Sequence, residues 1–487
     1  MNFKRLILGI TFLAIFAMAV RVSVDSDTWW HLRAGSWMVE NGRILRTDPF
    51  SLTRQAAEWE YPGWLAQIII FGVYKAGGFG GLNLLTACMV VVAFAFVWTL
   101  TKERPLVKSF VIIVAVAASG VYWAARPYIF SFALTGFFLW VLEKDRAQPW
   151  RGLWLLPLGM ALWVNLHGGF AIGFILIAAY LLGGLLEGGF AWLSGQTDFQ
   201  AAWKLVRPQA IRLGSVGLVS ALAAFLNPSG PSMLLYPFKT ISIGVLQDYI
   251  QEWQSPNFHR PELLPFLVLI LLTIIALAVS RTRKRPVEIV LVVGFLYMAL
   301  MAGRNIAMYA LVATPVLTRH LGSGLGVLLD HRPQPPQFPD RIAHRINLLL
   351  LVLVAIAVGL KIAVPLGAEF NRRAIADSLP VEAVAFIQEH QPPEELLNSY
   401  NWGGYITWTL YPDYPSFVDG RTDLFDDELL SRYLSTWRAE PGWEGFLDQW
   451  NVNTVLIEPE APLAAALLAS GWEILYQDNQ AVLFTHR

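Results

Sequence analysis

From Leu153 to Leu186 the chain carries no Asp, Glu, Lys or Arg, and only Asn165-Leu-His-Gly-Gly169 interrupts its apolar run. A helix of about 20 apolar residues crosses the hydrocarbon core of a bilayer, and shorter ones cross where the bilayer thins. The stretch therefore reads as two short spans meeting at a polar turn. Eleven such spans are expected, at about 6–20, 80–101, 109–125, 127–142, 152–165, 169–186, 211–226, 262–280, 286–302, 306–319 and 346–366. Composition agrees: 55% of the residues are hydrophobic and 15% charged, against about 25% charged in an ordinary soluble domain. A disordered chain is excluded, and a wholly soluble enzyme is disfavoured.

The charges decide orientation and little else. Lys+Arg and Asp+Glu both number 36, so no net field draws nucleic acid. Cytoplasmic loops are enriched in Lys and Arg. Lys4 and Arg5, Lys102/Arg104/Lys108, Lys144/Arg146/Arg151, Lys204/Arg207/Arg212, Arg281–Arg285 and Arg319/Arg332/Arg341/Arg345 fall on one side when eleven spans are counted. This predicts a multi-pass plasma-membrane protein of a prokaryote, with a cytoplasmic N-terminus. The stretch 64–78 could be a further span, which would invert everything after it. It reads as a helix in the interface, because inversion would put Arg281–Arg285 outside. The basic start and Ala17-Met-Ala19 also resemble a secretory signal, but a retained first span is expected. The single cysteine, Cys88, lies in an apolar run, so neither a disulfide framework nor a cysteine zinc site is expected.

After about residue 370 the chain becomes mixed and polar. Strand-like runs at Asn453–Glu458, Glu473–Gln477 and Ala481–Thr485 join helical patterns at Val381–His390, Asp426–Trp437 and Pro462–Leu468. A membrane domain over 1–369, with a long first outer loop at 21–63, is thus followed by an extracytoplasmic α/β domain over 370–487. A short Pro-rich loop occupies 331–339.

With this topology the unusual polar motifs converge on the outer face: Asp25-Ser-Asp27-Thr-Trp-Trp-His31, Arg126-Pro-Tyr128, Asn165-Leu-His167, Asn227-Pro-Ser-Gly230, Gln251-Glu-Trp253 and Arg304-Asn305. Ionisable groups near a bilayer are costly and usually functional. A carboxylate of Asp25 or Asp27 could act as general base, or the pair could hold a divalent cation such as Mg or Mn through oxygen ligands. Solvated residues at a helix end account for them equally well. Trp29, Trp30, Trp37, Trp59 and Trp64 read mostly as an interfacial aromatic belt, with one or two free to stack on a sugar ring. His31 and Arg33 follow closely and read as structural when taken singly. Arg126 and Arg304 each stand alone between apolar runs. Either could pair with a phosphate through bidentate, charge-assisted hydrogen bonds, or snorkel to ordinary headgroups. His167 has the same two readings, while Glu252 and Trp253 rank below these groups. Asp419-Gly-Arg-Thr-Asp423 reads as a local ion-pair turn, with capping of the membrane site as the lesser reading. Walker, dinucleotide-binding, HExxH and GxSxG motifs are all missing.

These features resemble the GT-C class of membrane glycosyltransferases, which includes protein O-mannosyltransferases, the lipid A aminoarabinose transferase and oligosaccharyltransferase catalytic subunits. The stretch Asp27 to Ser51 (DTWWHLRAG–TDPFS), the NLHGG turn and the tail from Asn401 to Leu424 (NWGGY–VDGRTDL) are similar to a bacterial branch placed near that class. The resemblance implies a polytopic helical bundle, a polyprenyl-phosphate-linked sugar donor, and a glycan, lipid or protein acceptor met outside the cytoplasm. The essential acid of the first loop would be Asp27, with Asp25 beside it. Trp30, His31, Arg33, Arg126, His167 and Arg304 would surround the substrate. Two departures stand out: the adjacent Asp-Glu pair of the O-mannosyltransferases is replaced by Asp25-Ser-Asp27, and the second outer loop, Arg126-Pro-Tyr128, has no second acid. A transporter or flippase of lipid-linked saccharide and a non-catalytic assembly factor are the alternatives; the first should show an internal inverted repeat, and none is seen.

Overall fold

The computed structural model describes residues 1–22, 24–329 and 339–486. Arg332 and all but the last residue of the Pro-rich loop lie outside the described residues. The first part of the chain is a helical bundle: α1 (Phe3–Ala19), α2 (Ser26–Asn41), α3 (Trp64–Trp98), α4 (Pro105–Ser119), α5 (Tyr128–Ala147), α6 (Leu155–Leu166), α7 (Ala171–Leu193) and α8 (Phe199–Ala223). Two short helices, α9 (Tyr236–Ile241) and α10 (Gly244–Tyr249), lie in a long connection before α11 (Leu264–Val279), α12 (Pro286–Met301), α13 (Ile306–Leu329) and α14 (Asp340–Leu366). Each of the eleven expected spans falls on one of these helices. Among the described residues, six helical stretches, those of α3, α4, α7, α8, α11 and α14, are long and apolar enough to cross a membrane.

The outward faces fit a lipid solvent. In α14, Leu349 is 58% and Leu360 71% exposed, and only hydrocarbon would cover such a face without cost. Inside the bundle Phe94, Phe132, Phe138, Trp163 and Tyr309 are almost fully buried. The helix α3 is two segments: Gly78 leaves helical geometry at φ 58°, ψ −151°, a conformation open to glycine because it has no Cβ. The stretch 64–78, expected as a helix in the interface, thus forms a separate helical arm against α2 that ends at this break. The helices α1 and α14 pack side by side and run the same way. Asn347 donates to the Met1 carbonyl at one end, and Lys361 donates to the Ala17 and Val20 carbonyls at the other. Parallel neighbours are what an odd number of passes between them produces.

The tail carries α15 (Ala368–Ala376), α16 (Val381–His390), α17 (Gly403–Thr409), α18 (Thr422–Phe425), α19 (Asp427–Trp437), α20 (Trp443–Gln449) and α21 (Pro462–Ala469). Its sheet comprises β1 (Leu396–Asn398), β2 (Thr454–Ile457), β3 (Glu473–Gln477) and β4 (Val482–Thr485), in the order β1-β2-β4-β3. The pair β1–β2 is parallel, with Leu397 opposite Val455, and the other two pairs are antiparallel. The three strands and three helices expected here are present. The strand β1 and helices α15, α17, α18 and α20 are additions, because elements of three to nine residues carry too little periodicity to be read.

One helix joins the bundle to the tail. On α2, Leu32 packs into the bundle core, Trp30, Ala34 and Met38 pack with the first loop and the tail, and Trp29 packs with α16 and α17. The tryptophans of this motif are therefore neither a membrane belt nor a free platform. Trp29, Trp30 and Trp59 are each under 5% exposed, buried at the joint between two bodies.

Candidate active site at the tail end of the bundle

The helix breaks assemble the site. At the tail end of the bundle α1 gives way to α2, α4 to α5, α6 to α7, and α12 to α13, while the basic connections lie at the far end. A cavity of about 1160 Å³ opens between these breaks and the tail, and five of the six polar motifs line it. The sixth lies behind, where Asn227 donates to the Val164 carbonyl at 2.9 Å and Asn165 accepts from the Trp64 indole at 2.7 Å.

Asp25 caps α2 by accepting from the Asp27 amide at 3.0 Å, which places Asp27 in the first helical turn, facing the break before α5. There the Arg126 guanidinium meets three carboxylates. Its Nη1 lies 3.1 Å from Asp27 Oδ2, its Nε lies 3.7 Å from Asp25 Oδ2, and its Nη2 donates to Glu252. Glu252 also faces Arg304 Nη1 at 3.5 Å, and Arg304 stacks over Trp253 at 4.3 Å. A backbone bond from the Gly303 amide to the Gln254 carbonyl, 3.0 Å, holds these two loops together. Glu252, ranked low from its sequence context, is the group that joins both arginines. A carboxylate in a long loop gives no spacing signal, so nothing in the sequence raised it.

The two neighbouring carboxyls have opposite environments. Burial, then repulsion from Asp25, pushes Asp27 up to about 7 against the pull of Arg126 and the Trp30 indole. Burial would also raise Glu252, but Arg126 and Arg304 overcome it and hold that carboxyl at about 2. Two acids with separated affinities for a proton are the arrangement in which one can exchange protons near neutral pH.

The other expected residues are distributed unevenly. His167 lines the cavity; its Nδ1 accepts from the Gly169 amide at 3.0 Å and lies 2.7 Å from Ser131 Oγ. That pairing leaves Nε2 to carry the proton, and burial, then Arg304, pushes this imidazole down to about 3, so it is neutral. Trp30 borders the cavity with its indole spent on Asp27 Oδ1 at 3.1 Å, so it positions the acid rather than offering a stacking face. His31 is 3% exposed, packed on Trp30 with ring centres 3.5 Å apart and planes tilted by 38°, and within 3.3 Å of Gln67. Arg33 is not brought to the cavity; it lies over the Tyr411 ring at 4.8 Å, because helical phase turns it away from the face that carries Asp27.

The tail closes the site through motifs that the sequence left half explained. Arg421 is fully buried. It forms a fork with Asp419, at 2.9 and 2.7 Å, and donates to Asp48 of the first loop at 2.6 Å. Asp48 in turn accepts from the Phe50 and Ser51 amides. The ion-pair reading of this turn is therefore right in kind, but the network is not local, since it ties the tail to the first loop. It also caps the site: a Cβ on Gly420 would lie 1.9 Å from Asp27 Oδ1, so only glycine fits above that carboxylate. A Cβ on Gly404 would similarly meet the Ser26 carbonyl, at 2.5 Å. Asp423 lines the cavity and accepts from the Tyr236 hydroxyl at 3.2 Å.

A divalent cation between Asp25 and Asp27 would compete with Arg126 in this arrangement. Both oxygens of Asp27 are engaged, by Trp30 and Arg126, and a permanent guanidinium sits where an ion bridging Asp25 and Asp27 would go. Among the described residues no three His, Cys, Asp or Glu side chains converge to hold a metal.

No family model and no curated protein matches the sequence. Solved structures do match the fold along its whole length. ArnT from Cupriavidus metallidurans, bound to undecaprenyl phosphate, superimposes with a TM-score of 0.54 at 13% identity, over 99% of this chain and 97% of that one. The archaeal oligosaccharyltransferase AglB from Archaeoglobus fulgidus, in complex with an inhibitory peptide and a dolichol-phosphate, gives 0.56 at 12% identity, over 100% and 75%. An oligosaccharyltransferase from A. fulgidus in complex with Zn and sulfate gives 0.52 at 13% identity, over 98% and 73%. At such identities the likeness is one of architecture. This chain is a membrane protein with the fold of the GT-C glycosyltransferases.

Proposed function

We propose that the protein is a glycosyltransferase of the plasma membrane, moving a sugar from a polyprenyl-phosphate donor to an acceptor at the outer face. In this reading the tail end of the bundle faces outward and the basic loops face the cytoplasm, in keeping with the Lys/Arg bias. The observation that carries the proposal is the placement of Asp27, held between Arg126 and Trp30 on the wall of a large cavity in a GT-C fold.

The chemistry follows from the groups on that wall. Asp27 accepts the proton of the acceptor's O–H or N–H as that atom attacks the anomeric carbon. The bond from the anomeric carbon to the phosphate oxygen breaks, and the lipid phosphate leaves with the electron pair. Charge growing on that phosphate is offset by Arg304, whose guanidinium is only partly used by Glu252, and by the Nε2–H of neutral His167. Fixed donors aimed at developing charge in a poorly solvated pocket stabilise a transition state strongly. Arg126 is committed to three carboxylates, so its role is to orient Asp27 rather than to bind phosphate. Asp25 caps α2 and supplies part of the charge around Asp27.

The test is sugar transfer and release from a panel of polyprenyl-phosphate sugars by the purified protein. Asp27→Asn should lower turnover by about 10²–10⁴-fold while the protein stays folded, Asp25→Asn should cost far less, and a chelator should leave turnover intact. Wild-type turnover in the Asp27→Asn protein would overturn the reading.

A further inference from the structure

The tail contributes more to the cavity than the cap over Asp27. Ser399, Tyr400 and Glu458 line it from the tail side. Ser399 Oγ donates to Glu458 Oε1 at 2.6 Å. The other carboxylate oxygen of Glu458 and the hydroxyl of Tyr400 are buried and have no hydrogen-bond partner. An unpaired buried polar atom is costly, and two on one cavity wall mark a place where a ligand's polar groups belong. Nearby, the Tyr433 hydroxyl is spent on the Asn398 carbonyl at 3.0 Å, so it does not compete for that ligand. Trp437, one helical turn beyond Tyr433 on α19, lines the same cavity and is only half-buried. The wall lies close to the acid: burial, and next the charge of Asp27, push the Tyr400 hydroxyl well above its ordinary value.

We propose that Tyr400 and Glu458 form a recognition subsite for a neutral, polyhydroxylated acceptor, a sugar ring, with Trp437 as its apolar platform. The chemistry selects this class. A hydroxyl both accepts and donates, so one ligand O–H can take the proton of Tyr400 and give its own to Glu458. An ammonium group only donates and leaves the tyrosine proton unmet. The apolar face of a sugar ring suits an indole. The subsite rests on the transferase reading for its role, but its binding can be measured without turnover.

The experiment titrates the detergent-solubilised protein with a panel of methyl glycosides, followed by saturation-transfer NMR and tryptophan fluorescence. An aliphatic amine of matched size serves as the other arm. Wild type should bind at least one glycoside in preference to the amine. Glu458→Gln, which keeps an oxygen for Ser399, and Tyr400→Phe should each weaken binding about tenfold or more. Glu143→Gln, at the far end of the bundle, should bind as wild type does. Where turnover is observed, the same two variants should raise the acceptor KM and leave donor release without acceptor unchanged. Wild-type affinity in both variants, preference for the amine, or no binding to the panel would overturn the subsite. Loss of function in Asp27→Asn would still stand for the transferase in each case.

Discussion

Both ends of the bundle gather arginines and carboxylates at helix ends, and among the described residues it is the tail-end cluster that borders the large cavity. At the far end Glu143 accepts from Arg146 and from the Tyr180 hydroxyl at 3.0 Å, and lies 3.4 Å from Arg285. Beside it Asp145 pairs with Arg212 at 2.9 Å, and Glu288 pairs with Arg319 and lies 3.3 Å from His320. Bases outnumber acids there and the partners close on one another. At the tail end three acids, Asp25, Asp27 and Glu252, share two arginines, and the cluster borders a cavity under a second body. An ionic cluster by itself therefore says little about function. An excess of acid, an open wall and a roof distinguish the site from a fastening.

Four measurements would break or sharpen that contrast. The largest effect is expected at the roof. Arg421→Ala would leave Asp48 and Asp419 buried without a countercharge, at a cost of about 3–5 kcal/mol. The tail should become protease-sensitive at temperatures where wild type resists, and a tail that stays resistant would mean the clamp is dispensable. Gly420→Ala should keep the fold but displace the Asp27 carboxylate, lowering turnover about 10²-fold. Unchanged kinetics there would detach the roof from the chemistry.

The third measurement is pH dependence. Asp27 titrates at about 7 in the folded chain, so turnover should climb up to tenfold per pH unit below 7 and level off above it. The folded protein keeps this proton at pH values where the unfolded chain has already released it. Stability should therefore fall as pH rises from about 4 to 7, and Asp27→Asn should flatten that slope. Glu252, at about 2, stays ionised in the folded chain, but the unfolded chain releases its proton only near the ordinary glutamate range, so below about pH 5 it adds an opposing slope. The smallest effect on turnover is expected at the far end. Glu143→Gln should cost about 1–3 kcal/mol of stability, read by thermal unfolding, and leave turnover per folded molecule as in wild type. A loss of activity there would show that the two ends are coupled.

Much of the architecture was legible because lipid imposes a simple pattern. Uncharged runs such as Leu153–Leu186 marked helices, and Lys/Arg asymmetry separated the basic ends from the polar breaks. Arg126 and Arg304 stand out for the same reason, as isolated charges between apolar runs, and Asp27 stands out by its place directly after the first span. Partnerships were not legible. Nothing along the chain says that Arg421 will meet Asp48, or that Glu252 will bridge two arginines, because such pairs are fixed only by tertiary packing. Arg33 lies away from the cavity that Trp30 borders because helical phase sends neighbouring side chains in different directions, and the first loop has too little periodicity to reveal which faces inward.

The parallel pairing of α1 with α14 bears on how the protein is made. Lys361 reaches the Ala17 and Val20 carbonyls across more than 340 residues of chain. At a synthesis rate of about 5–20 residues per second, α1 precedes its partner by roughly 20–70 s. During that interval lipid covers the face that α14 will take, and the carbonyls at the end of α1 lack the ammonium group that later seals them. The bundle is thus completed by the helix that leads directly into the tail, and the roof over Asp27 is laid only after the membrane wall beneath it has been closed.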